Sequence, residues 1–220
     1  MTDQLQPGRR DCLLVVDVQN DFCSNGKLAV ADGEAVVPLI NGLMPAFHSI
    51  VLTQDWHPPG HSSFASSHQG HEPFEEITMP YGPQTLWPDH CLQGSHGAAL
   101  HADLDTDRAE AVIRKGYRPA LDSYSAFFEN DHKTPTGLGG YLRERGISRV
   151  VLCGLATDFC VYWSARDAVR LGFNVVLVED ACRGIDLNGS LAAALETMDD
   201  LGVWRIAAAA ISPSQSAAAA

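Results

Sequence analysis

The chain has 220 residues, 45% hydrophobic and 19% charged, with a formal net charge of −12. Such a composition gives one domain with an ample core and excludes disordered and fibrous chains. The charge excludes a general affinity for nucleic acid phosphates or anionic membranes and suits a small neutral substrate.

In chain order, the opening MTDQLQPGRR carries two arginines, and the apolar run after it, LLVV, stops at Asp17, too short for a signal or membrane segment. Residues 1–10 are expected to be a flexible N-terminus and the protein to be cytoplasmic. Strands are predicted at DCLLVVDV, HSIVLTQD, AVIRKG, RVVLCGLA, NVVLVED and VWRI, most of them continuously apolar, as strands buried on both faces of a parallel sheet are. Helices are predicted over 33–47, 136–145, 158–171 and 188–201, several closed by glycine at Gly146, Gly172 or Gly202. The βαβ rhythm predicts an α/β domain over 11–206, a six-stranded parallel, Rossmann-like sheet with helices on both faces. Residues 56–109 break the rhythm as a long irregular insertion with seven histidines, which marks it as functional. The Ala-rich segment 207–220 is expected to be a flexible tail.

In an open parallel sheet, ligands bind outside the carboxyl ends of the strands. Four runs end there on reactive side chains: Asp17, Asp55 with His57, Lys115, and Cys160 after GLATD. The six cysteines show no C-x-x-C pair and are expected to be reduced thiols. Cys153 lies inside an apolar strand and is expected to pack in the core. Cys160 falls at a helix start, where unpaired N–H groups and a cation from Lys115 favour a thiolate nucleophile. Asp17 is placed to act as general base, the alternative being a purely structural Asp17–Lys115 ion pair.

Asp55 and His57, spaced to share one side of an extended segment, suggest with His90 and His61 a site for one divalent metal ion with positions left open. Surface loop histidines are the alternative, and His68, His71, His96 and His101 are left to it.

Taken together, VVDVQNDFC, QDWHPPGHSSFAS, LWPDHCLQGS, RKGYRPALDSYSAF and GLATDFCV resemble the nicotinamidase/pyrazinamidase branch of the isochorismatase-like cysteine hydrolases, from about Asp11 to Ile206. The resemblance implies an isochorismatase-like fold and a catalytic Asp17, Lys115 and Cys160. It also implies a cis peptide between Leu155 and Ala156, and an oxyanion hole from the amides of Ala156 and Cys160. Asp55, His57 and His90 would hold zinc, iron or manganese, with His61 a fourth ligand in some members. Phe22, Trp87 and Tyr124 would hold the ring. Nicotinamide, or pyrazinamide, would be deamidated through a thioester on Cys160, in NAD salvage. The metal segments separate this branch from relatives acting on ureido or carbamoyl substrates, which remain the alternative. A non-haem iron oxygenase would leave Cys160 and Lys115 without a role, and a zinc-stabilised binding module would unfold with chelator. A homo-oligomer is compatible with the apolar helix over 158–171.

Overall fold

The computed structural model describes residues 4–212. Six strands form one sheet in the order β5-β2-β1-β6-β7-β8, with every neighbouring pair parallel: β1 Asp11–Val16, β2 Ser49–Asp55, β5 Ala111–Lys115, β6 Arg149–Leu155, β7 Asn174–Arg183 and β8 Trp204–Ile206. All residues of β1 and β2 are buried, which is why their centres, CLLVV and IVL, read as continuous apolar runs rather than alternating ones. The chain leaves β1 toward β2 and β5, then returns to the other flank of β1 with β6. The order of strand addition therefore reverses between β1 and β6, the point where a crevice opens at the strand ends.

Helix α1, Val36–Leu43, buries Val36, Val37, Ile40 and Leu43, one stripe at helical spacing, against β6 and β7. The remaining helices are α2, Leu138–Glu144, α3, Tyr162–Arg170, and α4, Ser190–Asp200. α3 packs on β7, with α4 beside it. Of the residues α3 buries, Ser164, Ala165 and Ala168 are small and allow close approach, and Asp167 is the fourth. The predicted helix over 158–171 differs at its start: Thr157–Val161 forms a wider π-type turn before α3 begins. β7 also runs past the predicted end at Asp180, and its register with β6 shifts between Leu152 and Gly154.

The insertion is more regular than its sequence suggests. β3, Glu76–Met79, and β4, Gly82–Thr85, form an antiparallel hairpin, and bridges join His57 to Leu92 and Phe64 to Trp87. Four-residue strands containing or flanked by Pro and Gly give no usable periodicity; burial of Gln84 ties this hairpin to the domain.

The ends depart from the expectation of loose segments. Leu5 is buried and bridges to Ile211, its N–H donating to the Ala210 carbonyl at 2.8 Å. The Ala208 N–H donates to Asp180 Oδ1 at 2.7 Å. An apolar Leu5 within a polar opening carries this pairing, and a composition argument overlooks it. The rest of both predicted segments, 1–3 and 213–220, lies outside the described residues. Among the described residues, no helix is long and apolar enough to cross a membrane.

Candidate active site

Asp17, directly after β1, takes a left-handed backbone conformation with φ 47°, which turns the chain out of the strand at the crevice. Its N–H donates to Thr53 Oγ1 at 3.0 Å, and the same hydroxyl donates to Asp17 Oδ1 at 2.6 Å. Lys115 closes β5 directly opposite Asp55 of β2. Its Nζ lies 2.8 Å from Asp17 Oδ2 and 2.6 Å from Asp55 Oδ1. It also donates to the Ser123 carbonyl at 2.9 Å and reaches Cys160 Sγ at 3.3 Å. The β1, β2 and β5 ends and the turn after β6 thus deliver the residues picked out at the strand ends to one buried point.

Burial is the leading influence on every charge here. It pushes the Asp17 carboxyl above its ordinary pKa, with Lys115 opposing and Asp55 reinforcing the rise. On Asp55 burial acts in the same sense, but Lys115 and then His57 outweigh it and hold the carboxyl well below the usual range. On Lys115 burial works against the charge, and the two carboxylates overcome it, raising the ammonium well above its ordinary value.

Cys160 departs from the expected thiolate. Burial, followed by the opposing pull of Lys115 and the push of Asp17 and Asp55, leaves its thiol well above the ordinary value. The π-type turn has no side-chain cap, and the sulfur sits among two carboxylates as well as one cation. A thiol held protonated in this way would need a base to act as a nucleophile, and Asp17 lies beside it. Cys153 is fully buried in β6, its thiol raised far by burial, as its place in an apolar run predicts. All six cysteines are free.

Asp55, His57 and His90 are buried together, with His57 Nε2 3.5 Å and His90 Nε2 3.7 Å from Asp55 Oδ2. The opposite nitrogen of each ring meets a carbonyl: His57 Nδ1 lies 2.9 Å from Gly116 O and His90 Nδ1 2.8 Å from Pro88 O. A carbonyl only accepts, so each Nδ1 carries the proton, and both Nε2 atoms turn toward the carboxylate. That donor set fits a divalent cation, with outer carbonyls fixing the tautomers as metal-binding histidines require. Gly116 has φ 65°, and a Cβ there would stand 2.5 Å from the His57 ring, so only glycine admits this contact.

His61, expected as a fourth ligand in some members, lies outside the Asp55–His57–His90 set and in a second buried cluster with His57 and Asp122. Its Nε2 donates to the Arg118 carbonyl at 2.9 Å, and its Nδ1 accepts from Ser63 Oγ at 2.8 Å and Ser63 N–H at 3.2 Å. Both nitrogens are committed to protein groups, although its ring lies against His57 with centroids 4.4 Å apart.

These groups face a narrow pocket walled by Phe22, Leu28, Trp87, Tyr124, Phe159 and Ile185, with Asp55, His57, His90, Asp122, Ala156 and Cys160 completing it. Trp87 meets Phe159 edge to face at 4.9 Å, and Tyr124 meets Phe159 at 5.6 Å. The Tyr124 hydroxyl accepts from Trp87 Nε1 and from Gln84 Nε2, both at 3.1 Å. Two of the three ring-binding positions taken from the resemblance thus share one hydrogen-bonded wall, and Phe22 stands with His90, centroids 5.5 Å apart. The peptide between Leu155 and Ala156 is cis.

Several contributors escaped sequence reasoning. Gln19 brackets Asp55, accepting from its N–H at 2.8 Å and donating to its carbonyl at 2.8 Å. Thr53 sits mid-strand in an apolar run. Asp122 and Gln84 come from loop and hairpin. Phe159 was within reach, because it lies beside Cys160 in the nucleophile motif.

Comparison with known proteins places this geometry in context. A curated nicotinamidase of Acinetobacter baylyi is 55% identical over 194 residues, covering 88% of this chain and 91% of the relative. Among solved structures, the Acinetobacter baumanii nicotinamidase/pyrazinamidase superposes with TM-score 0.91 at 55% identity, covering 92% of this chain and 98% of that one. A protein of L. infantum in complex with nicotinate gives TM-score 0.84 at 40% identity, covering 96% and 99%. A pyrazinamidase of Pyrococcus horikoshii in complex with zinc gives 0.73 at 34%, covering 90% and 99%. The isochorismatase domain model matches residues 11–210, and the chain belongs to the isochorismatase family.

Proposed function

We propose that the protein is a nicotinamidase that converts nicotinamide to nicotinate and ammonia, and pyrazinamide to its acid, as a cytoplasmic step of NAD salvage. The observation that carries the reading is Cys160, 3.3 Å from a lysine ion-paired to Asp17, at the floor of a small aromatic pocket. Similarity to nicotinamidases at 55% identity and to a nicotinate complex supports the substrate.

In this mechanism Asp17 takes the Cys160 proton, its burial-raised pKa bringing it closer to that of the thiol it must deprotonate. The sulfur attacks the carboxamide carbon, and the amides of Ala156 and Cys160 hold the developing oxyanion. The tetrahedral adduct collapses, the C–N bond breaks, and Asp17 returns the proton to the departing ammonia. Asp17 then deprotonates a water, which attacks the thioester carbon; the C–S bond breaks and the proton returns to the Cys160 sulfur. Lys115 keeps Asp17 in place and offsets the thiolate charge. Phe22, Trp87 and Tyr124 clamp the ring and exclude bulk water. Asp55, His57 and His90 would hold one divalent ion, for which zinc, iron and manganese all suit the donors. When bound, that ion would supply a Lewis-acid centre in the pocket.

The test is ammonia release from nicotinamide beside a ureido substrate, before and after metal stripping. Release from nicotinamide alone supports the proposal. Preference for the ureido compound would replace it with another amidohydrolase of the same family.

A further inference from the structure

We infer that Asp21 is a positioning residue that holds the ring-binding and metal-facing half of the pocket together through a single buried carboxylate. The inference rests on the reading of Asp55, His57 and His90 as metal ligands.

Asp21 is buried, and its two carboxylate oxygens accept from separate segments: Oδ2 from the Cys91 N–H at 2.7 Å, Oδ1 from the Lys27 N–H at 3.1 Å. Its backbone reaches further, donating to the Gly97 carbonyl at 3.0 Å and accepting from the Leu28 N–H at 3.0 Å. Apart from the Gly97 contact, these bonds end at or next to a pocket wall. Phe22 follows Asp21 in sequence, Leu28 follows Lys27, and His90 precedes Cys91; all three line the cavity. The Cys91 carbonyl in turn accepts the His57 N–H at 3.0 Å, so one residue, Cys91, connects Asp21 to both histidines.

Cys91 has φ 47°, a left-handed conformation that a side chain disfavours. A charge-assisted hydrogen bond to its N–H offsets that preference and fixes the direction in which His90 leaves the chain. The carboxylate sits in a slot built for it. A Cβ at Gly97 would stand 2.0 to 2.4 Å from the Asp21 carboxylate atoms, and one at Gly26 would stand 2.2 Å from the Asp21 carbonyl oxygen. Asp21 borders the cleft on the far side of its loop and is absent from the cavity lining, so it acts through its neighbours.

Asp21→Asn keeps the shape but turns an NH2 toward one of the two N–H donors, breaking one arm of the clamp. Zinc affinity would be measured by competition with a chromogenic chelator, next to Asp55→Ala as the ligand control. Iodoacetamide alkylation of Cys160 in metal-free protein would report on the Asp17–Lys115–Cys160 half. Asp21→Asn should weaken zinc by about 10–100-fold, as loss of outer support for a ligand does, raise KM more than it lowers kcat, and leave alkylation unchanged. Zinc affinity equal to wild type in Asp21→Asn, with Asp55→Ala losing zinc, overturns the inference alone. Zinc held equally by wild type and Asp55→Ala overturns the metal reading and the inference with it. Alkylation slowed in parallel with zinc loss makes the role merely structural and also overturns it. Should Asp21→Asn not fold, Gly97→Ala, which drives a methyl against the carboxylate, should give the same pattern, and unchanged zinc affinity there overturns the inference.

Discussion

Replacing Lys115 by Met keeps the aliphatic stem and removes the one positive charge that Asp17 and Asp55 both face at hydrogen-bond distance. Lys115 is fully buried, and its Nζ stands 2.8 Å and 2.6 Å from the two carboxylates. At an effective dielectric constant near 20, each pair has a gross Coulomb energy of about 6 kcal/mol. After repulsion between the carboxylates and desolvation of the ammonium, breaking such a buried arrangement from one side costs about 3–5 kcal/mol. That is a large part of the ~5–15 kcal/mol typical of a domain. The pH dependence gives a second, independent signature. In metal-free wild type, the depressed Asp55 pKa contributes stability that is present above the unfolded value, about 4, and is lost as pH falls through the folded value. Without Lys115, burial drives the Asp55 carboxyl above its unfolded value and raises further that of Asp17, already elevated in wild type. Stability is then full below about pH 4 and lost as pH rises through the raised folded values. Acidification from about pH 7.5 to 5 should therefore stabilise Lys115→Met relative to wild type by ~1–2 kcal/mol, roughly one unit of pKa shift. Urea midpoints of the two metal-free proteins at both pH values measure this. A variant within about 1 kcal/mol of wild type at neutral pH, or parallel pH dependence, would refute the reasoning, since one pKa unit is worth that much.

Thr53→Val removes the hydroxyl that donates to Asp17 Oδ1. The Asp17 pKa should rise further, moving the acidic limb of kcat/KM to higher pH, with stability lower by about 1–3 kcal/mol for the unpaired buried groups; a pH–rate profile and a denaturation curve check both. Cys153→Ala should reduce stability by roughly 1 kcal/mol through lost packing while leaving kcat unchanged, and alkylation mapping should still find Cys160 as the reactive thiol. Metal stripping should weaken nicotinamide binding and leave iodoacetamide alkylation of Cys160 intact, because Lys115 still pairs with Asp17 and Asp55 and reaches Cys160 with no ion in place.

The parallel sheet was legible because buried strands write themselves as apolar runs, and the residue ending each run lands at the crevice by topology. Asp17, Asp55 and Lys115 were reachable that way, and their convergence follows from strand order. Cys160 was found by position, but its ionisation was not: an exposed helix start stabilises a thiolate, whereas this turn is buried between carboxylates. His61 shows the limit of motif spacing, because whether an imidazole faces a metal or a carbonyl depends on Arg118 and Ser63, which no pattern links to it. Thr53 and Gln19 were invisible because their partners lie 36 residues away in sequence and are set by register alone. Asp21 stood inside a quoted motif, yet its partners at Lys27 and Cys91 are backbone N–H groups, which sequence does not distinguish from any others.

The central claim is covalent catalysis by Cys160, and intact-protein mass spectrometry after acid quench of enzyme turning over nicotinamide tests it most directly. A nicotinoyl adduct that maps to Cys160, vanishes as substrate is exhausted, and is absent from an inactive Cys160→Ala variant is the predicted result. Ammonia release at the wild-type rate by Cys160→Ala would contradict the account.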